Sequence, residues 1–522
     1  MKSRARQRVL HLTAELWPYA RTGGLGQAVA GLASHQAANG VDTNILLPLY
    51  REARQHAGAL EPFGEPFTVV VGGRSEELRC WREAAGELPR KLFLEHDPSF
   101  DRAGIYGDTG SDYPDNHRRF ALFARGAIEV ARALGGDDGR LILHAHDWHA
   151  ALAPVYLRRV HRDRADLQVM PCVVTVHNGG FQGAFPRSVL SELGLPEDLW
   201  APDYMEWYGQ LDFLKGGLVF ADMVTTVSPT HAAELLTEVG GFGLHHVFRT
   251  LGDRLVGILN GIDLCAWDPA QDQDIVARFG PDDPAGKARC KQALQELWQL
   301  PPRPDIPLFA MSARLVAQKG MDQIVDSRSL RAVNAHFIFL GAGEAQFENA
   351  LRALAAEYPD RIAVNTAFTD MLEHQLLAGA DFLMMPSLYE PCGLTQMRAQ
   401  RYGALPVARR VGGLADTIDD GVTGILYDAY SPAAFDGAVQ RAGMLYQDRA
   451  RFDALARGAM RRDFSWRQPA EQYRDVYRRA YAARAPFRRA AALPAAGGVR
   501  RVAKARTPRP RKPATKGVPR DR

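Results

Sequence analysis

Short apolar runs alternate with longer amphipathic segments in two series along the chain, and this pattern restricts the possible folds more than any other part of the sequence. Strand-length apolar runs separated by helical patterns predict parallel sheets that are covered by helices on both faces. The sequence therefore predicts the α/β class, with two doubly wound domains facing a ligand cleft. The runs of the first series are 8–14, 44–48, 141–145, 168–176 and 221–227, and those of the second are 307–312, 335–340, 361–365, 381–386 and 405–408.

The length of 522 residues is too great for one hydrophobic core, and the two series predict where the chain divides. A loop-rich stretch with several prolines, from Asn260 to about Pro307, separates them. We therefore expect an N-terminal domain over 1–257 and a C-terminal domain over 258–490 that ends with a helix near 466–483. A separate tail is expected over 491–522.

The tail differs from the rest of the chain in its charge. Residues 491–522 contain ten Lys or Arg and one Asp, a net charge of +9, whereas the whole chain carries +4, which leaves −5 on the first 490 residues. With five prolines and few large apolar side chains, the tail is predicted to be disordered. It either contacts an anionic partner or is a solvated extension without one. Nothing in the body resembles a nucleic-acid-binding module, so no nucleic acid is expected as a required partner.

Hydropathy and cysteine usage predict the compartment. No apolar segment is long enough to span a bilayer, so no membrane partner is expected. The N-terminus is basic, but the apolar run after it is too short for a signal sequence. The five cysteines are scattered and odd in number, which is typical of free thiols in a reducing compartment. The sequence thus predicts a cytoplasmic protein.

The segment Glu390-Pro-Cys-Gly-Leu-Thr-Gln396 is the strongest candidate for a ligand site. It lies between a buried strand pattern and a helix pattern at 397–402. In open α/β sheets, ligands bind at the carboxyl ends of the strands, and a helix N-terminus offers N–H groups to an anion. A carboxylate, a glycine and a threonine at this junction predict a phosphate-bearing ligand. For this segment alone, a helix cap without a ligand is the alternative.

Two further strand ends carry cations. Arg314 and Lys319 follow the first strand of the second series, and this position suits two neighbouring phosphates. The turn Thr22-Gly-Gly-Leu-Gly26 follows the first strand of the chain and opens a helix, with Arg21 beside it. The turn lacks the Gly-x-Gly-x-x-Gly spacing of dinucleotide-binding sites, and no acidic residue ends the second strand. A nicotinamide dehydrogenase is therefore disfavoured.

Two strand ends of the first series carry polar side chains. The motif His144-Ala-His-Asp-Trp-His149 has residue types that bind metals, but it straddles a strand end, where alternate side chains point to opposite faces. We therefore predict no metal here, and we place Asp147 as a hydrogen-bonding residue for a polar substrate. His177 and Asn178 follow the run at 168–176 and are predicted to project into the cleft.

Together these motifs resemble those of bacterial glycogen synthases and plant starch synthases, over about residues 9–481. The resemblance implies the GT-B arrangement of two Rossmann-like domains with a deep cleft. It also implies transfer of glucose from ADP-glucose to the non-reducing end of an α-1,4-glucan such as glycogen, with retention of configuration and without a metal or other cofactor. The motifs that carry it lie at 14–18, 22–26, 115–120, 144–149, 175–178, 209–217, 226–230, 259–263 and 390–396.

The resemblance further implies a role for each matching residue. Glu390 corresponds to an essential carboxylate beside the donor glucose, and Arg314 and Lys319 correspond to cations that hold the diphosphate and stabilise the departing ADP. Asp147 and His177 correspond to residues around the glucose and complete the expected catalytic set. The expected donor-binding residues are Arg21, Gly23, Gly24, Gly393, Leu394 and Thr395, and the other expected cleft residues are Glu15, Asn178, Asn260 and Cys392.

Two departures from the family pattern bear on the donor. Arg21 stands where the family has a lysine, and Met397-Arg398 stands where an apolar residue and an aromatic are usual. Arginine and lysine are not interchangeable where hydrogen-bond geometry matters. Two alternatives stay open: a related retaining GT-B enzyme that uses UDP-glucose or another acceptor, and a non-catalytic glucan-binding relative.

Overall fold

The protein is built on two large sheets, one in each half of the chain. The computed structural model describes residues 7–492, except for positions 85, 87, 109 and 137–139. Successive residues of one strand in the second sheet, Leu308 and Phe309, pack into two different core clusters. In the first sheet, Val9 and Leu10 are divided between two clusters in the same way. Both sheets are therefore buried on both faces, which is why their strands read as near-continuous apolar runs.

Strands of the first half form one ten-stranded sheet and two small ones. In chain order they are β1 Arg8–Leu12, β2 Asp42–Pro48, β3 Leu60–Pro62, β4 Phe67–Val71, β5 Arg74–Glu83, β6 Arg90–Glu95, β7 Gly107–Asp108, β8 Ser111–Asp112, β9 Leu141–His146, β10 Cys172–Val176, β11 Ala184–Pro186, β12 Glu206–Trp207, β13 Gln210–Asp212, β14 Met223–Thr226 and β15 Leu255–Gly257. The large sheet has the order β15-β14-β10-β9-β1-β2-β6-β5-β3, with β4 paired to β5. Its strands are parallel from β15 to β6, and β3, β4 and β5 form an antiparallel edge.

Helices of the first half connect these strands. Helix α1 begins directly after the glycine-rich turn, and its buried residues recur every three or four positions, as an amphipathic helix requires. The helices are α1 Leu25–Ala38, α2 Arg51–His56, α3 Asp97–Phe100, α4 Asn116–Ala133, α5 Asp147–Ala150, α6 Leu152–Val155, α7 Ala165–Gln168, α8 Val189–Glu192, α9 Phe213–Phe220, α10 Pro229–Leu235 and α11 His245–Leu251.

The second sheet is entirely parallel and has six strands. They are β16 Leu308–Ser312, β17 His336–Leu340, β18 Ile362–Asn365, β19 Phe382–Met385, β20 Leu405–Arg409 and β21 Ile425–Tyr427. The order β18-β17-β16-β19-β20-β21 is the 3-2-1-4-5-6 order of a Rossmann sheet. The helices of this half are α12 Ala285–Leu297, α13 Met321–Val325, α14 Ser329–Ala332, α15 Ala345–Glu357, α16 Asp370–Gly379, α17 Thr395–Arg401, α18 Gly412–Thr417, α19 Pro432–Gln447, α20 Arg449–Met460, α21 Arg467–Ala483 and α22 Ala485–Ala492.

Each sheet has one topological switch point, where the strand order reverses. In the first sheet it lies between β1 and β9, and in the second between β16 and β19. Loops at a switch point diverge to opposite faces of the sheet and leave a crevice at the strand ends, which is where ligands bind in such folds. The glycine-rich turn and Asp147 follow the first pair of strands, and Arg314 and Glu390 follow the second. The predicted α/β class with two doubly wound domains is confirmed.

Helix α21 packs on the first sheet. Its buried residues Tyr473, Val476 and Tyr477 belong to the same core cluster as Val9 and Met223. The sequence prediction grouped this helix with residues 258–490, whereas the apolar face of α21 is buried against the N-terminal half. The tail predicted for 491–522 lies outside the described residues from position 493 onward.

Membrane-spanning potential can be assessed for the described part of the chain. Among residues 7–492, with the gaps given above, no helix combines the length and the apolar character needed to cross a bilayer.

Candidate active site

The second half contributes two neighbouring loops, which follow β16 and β19. Gln318 links them, because its carbonyl oxygen accepts from the Leu388 amide at 2.8 Å and its side chain donates to the Tyr389 carbonyl at 3.2 Å. Gly320 has φ +76°, and a Cβ there would lie 2.1 Å from the Pro386 carbonyl oxygen. A glycine is therefore required where the two loops cross.

Lys319 and Glu390 form an ion pair at the centre of these loops. Lys319 Nζ lies 2.6 Å from Glu390 Oε2, which also accepts from the Ser387 hydroxyl at 3.0 Å. The Glu390 side chain is only 7% exposed and that of Lys319 is 18% exposed. Arg314 is exposed and lies near Tyr389, the residue before Glu390, and within the described ranges its guanidinium has no ion-pair partner. The structure thus brings together the three residues predicted to act on the donor in this half.

Gly412 and Gly413 pack against the backbone of Glu390. The amide of Gly413 donates to the Glu390 carbonyl oxygen at 3.1 Å, and a Cβ on Gly412 would lie 2.0 Å from that oxygen. Gly393 has φ +71°, and α17 begins two residues later at Thr395 without a side-chain cap. The predicted donor-binding residues Gly393, Leu394 and Thr395 are therefore half-buried at the start of an uncapped helix.

Glu15 holds the glycine-rich turn of the first half. Its carboxylate accepts from the Thr22 amide at 2.8 Å, the Gly23 amide at 3.1 Å and the Thr22 hydroxyl at 2.9 Å. It also accepts from the Tyr106 hydroxyl at 2.7 Å. Because three of these bonds come from the turn and the fourth, from Tyr106, anchors the carboxylate, the predicted cleft residue Glu15 positions Gly23 and Gly24, which are themselves exposed.

Asp147 sits in a strained backbone conformation at the end of β9. Its φ of 56° lies in the left-handed region, which non-glycine residues rarely adopt and which is found disproportionately at functional sites. Its Oδ1 accepts from the His177 amide at 2.6 Å. Burial raises the pKa of the Asp147 carboxyl to about 7, and the neighbouring Glu15 charge adds to the shift. Asp147 and His177 are thus coupled through the backbone, as their adjacent strands allow.

The two halves meet across the cleft at the predicted residues. Arg21 Nη2 donates to the two carboxylate oxygens of Asp370 at 2.9 and 3.0 Å. A Cβ on Gly24 would lie 3.8 Å from Leu394 Cδ1, so the two glycine-bearing loops face each other. The Asn178 side chain, predicted to enter the cleft, lies within hydrogen-bonding reach of the Tyr389 hydroxyl.

Arg398 is a second cross-cleft residue. It donates to the Gln27 side chain at 2.6 Å and to Glu373 at 3.2 Å, and its guanidinium lies 4.2 Å from the centre of the Trp267 ring. Burial lowers the pKa of Arg398. Both departures from the family pattern, Arg21 and Arg398, therefore contact the opposite half.

Asn260 contacts Cys392, which is part of the 390–396 segment. Both are buried, and the Cys392 thiol is hydrogen-bonded by the Asn260 backbone. Burial raises the pKa of the Cys392 thiol to about 12, so it is not a nucleophile near neutral pH. These two predicted cleft residues pack the interdomain stretch against the 390–396 segment.

The histidines form a buried cluster that the motif alone did not predict. His144 and His146 lie on one face of β9, and His11 on the neighbouring β1 is in register with His144. Their ligand nitrogens all lie within 4.8 Å of one another, a spacing that could hold a metal. Each of the six ring nitrogens is, however, within hydrogen-bonding distance of another side chain. The absence of a metal stays a prediction.

Several residues that line the candidate site were not among those predicted from the sequence. Tyr106 and Asp370 carry no motif of their own and reach the cleft only through the packing of distant segments. Gln27 and Tyr389 adjoin the glycine-rich turn and the 390–396 segment, so their positions were the available signal. His11 had one usable signal, because it stands on the first strand of a parallel sheet.

Comparison with known proteins follows the same division of the chain. A family model described as the starch synthase catalytic domain matches residues 8–250, and one described as glycosyl transferases group 1 matches residues 295–458. A glycogen synthase of Anaeromyxobacter sp. (strain Fw109-5) is 42% identical over 477 residues, which are 90% of this chain and 98% of that protein. The glycogen synthase of Myxococcus xanthus (strain DK1622) is 40% identical with the same coverage. The chain belongs to the glycogen and starch synthase family.

Solved structures of glycosyltransferases agree with this family. The catalytic domain of starch synthase IV from Arabidopsis thaliana, bound to ADP and acarbose, superposes with a TM-score of 0.83 at 30% identity, covering 92% of this chain and 100% of that one. A sucrose-phosphate synthase from Thermosynechococcus elongatus shares the fold, with a TM-score of 0.56 at 18% identity over 92% and 100% of the two chains. The predicted GT-B fold is confirmed, and this family member is a hexosyltransferase of the glycogen and starch synthase type.

Proposed function

We propose that this enzyme transfers glucose from ADP-glucose to the non-reducing end of an α-1,4-glucan, with retention of configuration and without a metal. The observation that carries the proposal is the cluster of Lys319, Glu390 and Arg314 at one switch point, facing the Glu15-held glycine turn and Asp147 at the other. The bound ADP and acarbose of the Arabidopsis starch synthase support the same ligand classes here.

Charge development at the diphosphate explains the cations. As the bond to glucose breaks, negative charge grows on the departing phosphate oxygen, and Arg314 and Lys319 stabilise it together with the amides at 393–395. A single well-placed donor of this kind is typically worth about 3–4 kcal/mol in the transition state. In this mechanism the two cations stabilise the negative charge of the leaving diphosphate, a role that a divalent metal ion has in many other enzymes.

Charge development at the sugar is opposite in sign. The glucosyl carbon becomes oxocarbenium-like, and the buried carboxylate of Glu390 lies at the same switch point as the diphosphate cations. His177 contributes its backbone carbonyl or ring on the other side of the cleft. The acceptor hydroxyl attacks on the face that ADP leaves, and the departing phosphate oxygen takes the hydroxyl proton, which gives retention in one step.

The deciding experiment is release of nucleoside diphosphate with glycogen as acceptor. ADP-glucose and UDP-glucose are supplied in turn, and the glucan product is tested for α-1,4 extension. We expect turnover with ADP-glucose that survives EDTA and is lost in Glu390→Gln. Preferential turnover of UDP-glucose would replace the donor assignment, loss with EDTA would overturn the metal-free mechanism, and glycogen binding without any turnover would support the non-catalytic alternative.

The cellular location is a separate proposal. A cytoplasmic site is consistent with a nucleotide-sugar donor and with five cysteines of which none pairs with another. Fractionation of the native host cells tests it, and recovery of the enzyme outside the cytoplasm would contradict it.

A further inference from the structure

The buried histidines form part of a continuous chain of hydrogen bonds that ends at the cleft. His177 Nε2 lies 3.0 Å from His146 Nδ1, and His146 Nε2 lies 3.0 Å from His11 Nδ1. His11 Nε2 lies 2.9 Å from the side-chain oxygen of Gln36, on helix α1. The Gln36 amide nitrogen then donates to the Tyr477 hydroxyl at 3.0 Å, on helix α21.

The chain continues beyond Tyr477 back into the sheet. The Tyr477 hydroxyl lies 2.9 Å from His144 Nδ1, and His144 Nε2 lies 2.6 Å from the Thr175 hydroxyl. Thr175 in turn lies 2.6 Å from the Thr225 hydroxyl on the next strand. All members except His177 are buried, so water does not compete for these bonds.

For the orientation that the Gln36 amide has in the structure, proton counting gives this row of hydrogen bonds a single direction. Burial lowers the pKa of all four histidines, that of His11 to about 4 and that of His177 to about 3, so each ring is neutral near pH 7 and carries one N–H. The Gln36 oxygen can only accept, so His11 donates from Nε2 and must accept at Nδ1. His146 then donates from Nε2, and His177 donates from Nε2 to His146. Bonds aligned head to tail in this way polarise and strengthen one another.

This direction determines what His177 offers to the cleft. With its proton on Nε2, His177 has a lone pair on Nδ1, and within the part of the chain that the structure describes this atom has no hydrogen-bond partner. If the Gln36 amide were rotated by half a turn, its NH₂ group would donate to His11 Nε2. The proton of each of His11, His146 and His177 would then move to Nδ1, and His177 Nδ1 would become a donor. One distant amide thus decides between the two tautomers.

We propose that Gln36 and Tyr477 are positioning residues that set the tautomer of His177 through His11 and His146, so that His177 acts in the cleft as a hydrogen-bond acceptor. This inference rests on the proposed function for the place of His177 beside the sugar. Helix α21 takes part because its packing on the N-terminal half brings the Tyr477 hydroxyl within hydrogen-bonding distance of the Gln36 amide nitrogen.

The test is nitrogen NMR of the free enzyme with labelled histidine, using a His177→Asn variant to assign the His177 signals. We expect the wild-type ring to carry its proton on Nε2. Gln36→Met and Tyr477→Phe should give a mixture of tautomers, and Gln36→Glu, which still accepts from His11, should restore the wild-type form. Turnover in the first two variants should fall roughly 3- to 10-fold, the value of one hydrogen bond.

A matched control separates this role from stability. Tyr156→Phe removes another buried hydroxyl of the same half. This hydroxyl donates to the Leu193 carbonyl at 2.9 Å and takes no part in the histidine hydrogen bonds, so the His177 signals should stay unchanged. A wild-type proton on Nδ1, or wild-type tautomers in both Gln36→Met and Tyr477→Phe, would overturn the proposal. The NMR result does not depend on turnover, so a failure of the proposed function would show separately as inactivity of an enzyme with the expected tautomer.

Discussion

Arg21 donates from one guanidinium nitrogen to both carboxylate oxygens of Asp370, and so joins the glycine-rich turn of one half to the first residue of α16 in the other. The Arg21 side chain is 31% exposed and that of Asp370 is 44% exposed. An ion pair this accessible to water stabilises by only about 0–1 kcal/mol. If Arg21 binds the donor, as the sequence predicts, a diphosphate can therefore displace Asp370 from it at little cost.

Substitution of Arg21 should weaken donor binding, and substitution of Asp370 should strengthen it. Arg21→Ala should raise the KM for the nucleotide sugar roughly 10- to 100-fold, because a hydrogen bond to a charged group contributes about 1.5–3 kcal/mol. Arg21→Lys should give an intermediate KM. Asp370→Asn, which frees Arg21, should lower the KM by up to about fivefold, the value of an exposed pair.

Steady-state kinetics at fixed glycogen measures these effects. Arg187→Ala, at an exposed arginine in the N-terminal half, serves as the control for loss of a positive charge. If Arg21→Ala leaves both the donor KM and kcat unchanged, Arg21 does not bind the donor.

The Lys319–Glu390 pair should be separable into a stability effect and a catalytic effect. Lys319→Met leaves the nearly buried Glu390 carboxylate without its cation, and we expect both a lower melting temperature and a loss of kcat of roughly 10²–10³-fold. The double variant Lys319→Met with Glu390→Gln removes both charges, so stability should return while activity does not. Recovery of turnover in the double variant would show that neither charge of the pair takes part in catalysis.

Asp147 should make stability depend on pH. The pKa of the Asp147 carboxyl is about 7 in the folded protein, whereas that of an unfolded Asp is about 3.9. Between these two pH values the folded form holds a proton that the unfolded form has lost. The contribution of Asp147 to stability therefore falls as the pH rises through this window, and the charged form is disfavoured by up to roughly 4 kcal/mol. Asp147→Asn should thus melt higher than the wild type at about pH 8, with a smaller difference near about pH 5.

Calorimetry at both pH values tests this. Asparagine tolerates the left-handed backbone and can still accept a hydrogen bond, so the variant should fold. Asp163→Asn, at a side chain that is 94% exposed, should show no such pH dependence relative to the wild type. An equal melting difference at both pH values would contradict a raised pKa at Asp147.

Gly412 should tolerate no side chain. Its φ is +42°, and an added Cβ would lie 2.0 Å from the Glu390 carbonyl oxygen, so Gly412→Ala must displace the 390–396 segment. We expect a large loss of kcat together with a lower melting temperature. Gly421→Ala is the matched control, because it has φ +73° and open space around it, and should cost only the backbone strain of about 1–2 kcal/mol. Similar activity in the two variants would show that the Glu390 backbone is free to move.

The strand runs were predictable because buried parallel strands leave a local signal. The run at 381–386 became β19 Phe382–Met385, and the run at 405–408 became β20 Leu405–Arg409. The run at 168–176 was too long, since β10 begins only at Cys172, after Pro171, which has no amide hydrogen for the ladder. Strand ends mark switch-point loops, so Glu390, Arg314, Lys319 and Asp147 could also be found from the sequence.

Neighbours within a few positions specify the two sheets, the loops at their carboxyl ends and the residue types that those loops present, so these features can be found from the sequence. The contacts of Arg21 with Asp370, of Glu15 with the glycine-rich turn and of Tyr477 with Gln36 exist only in the folded arrangement. These contacts join residues as far apart as Gln36 and Tyr477, 441 positions along the chain. No local pattern encodes them, because they arise from how the sheets, helix α21 and the cleft pack together.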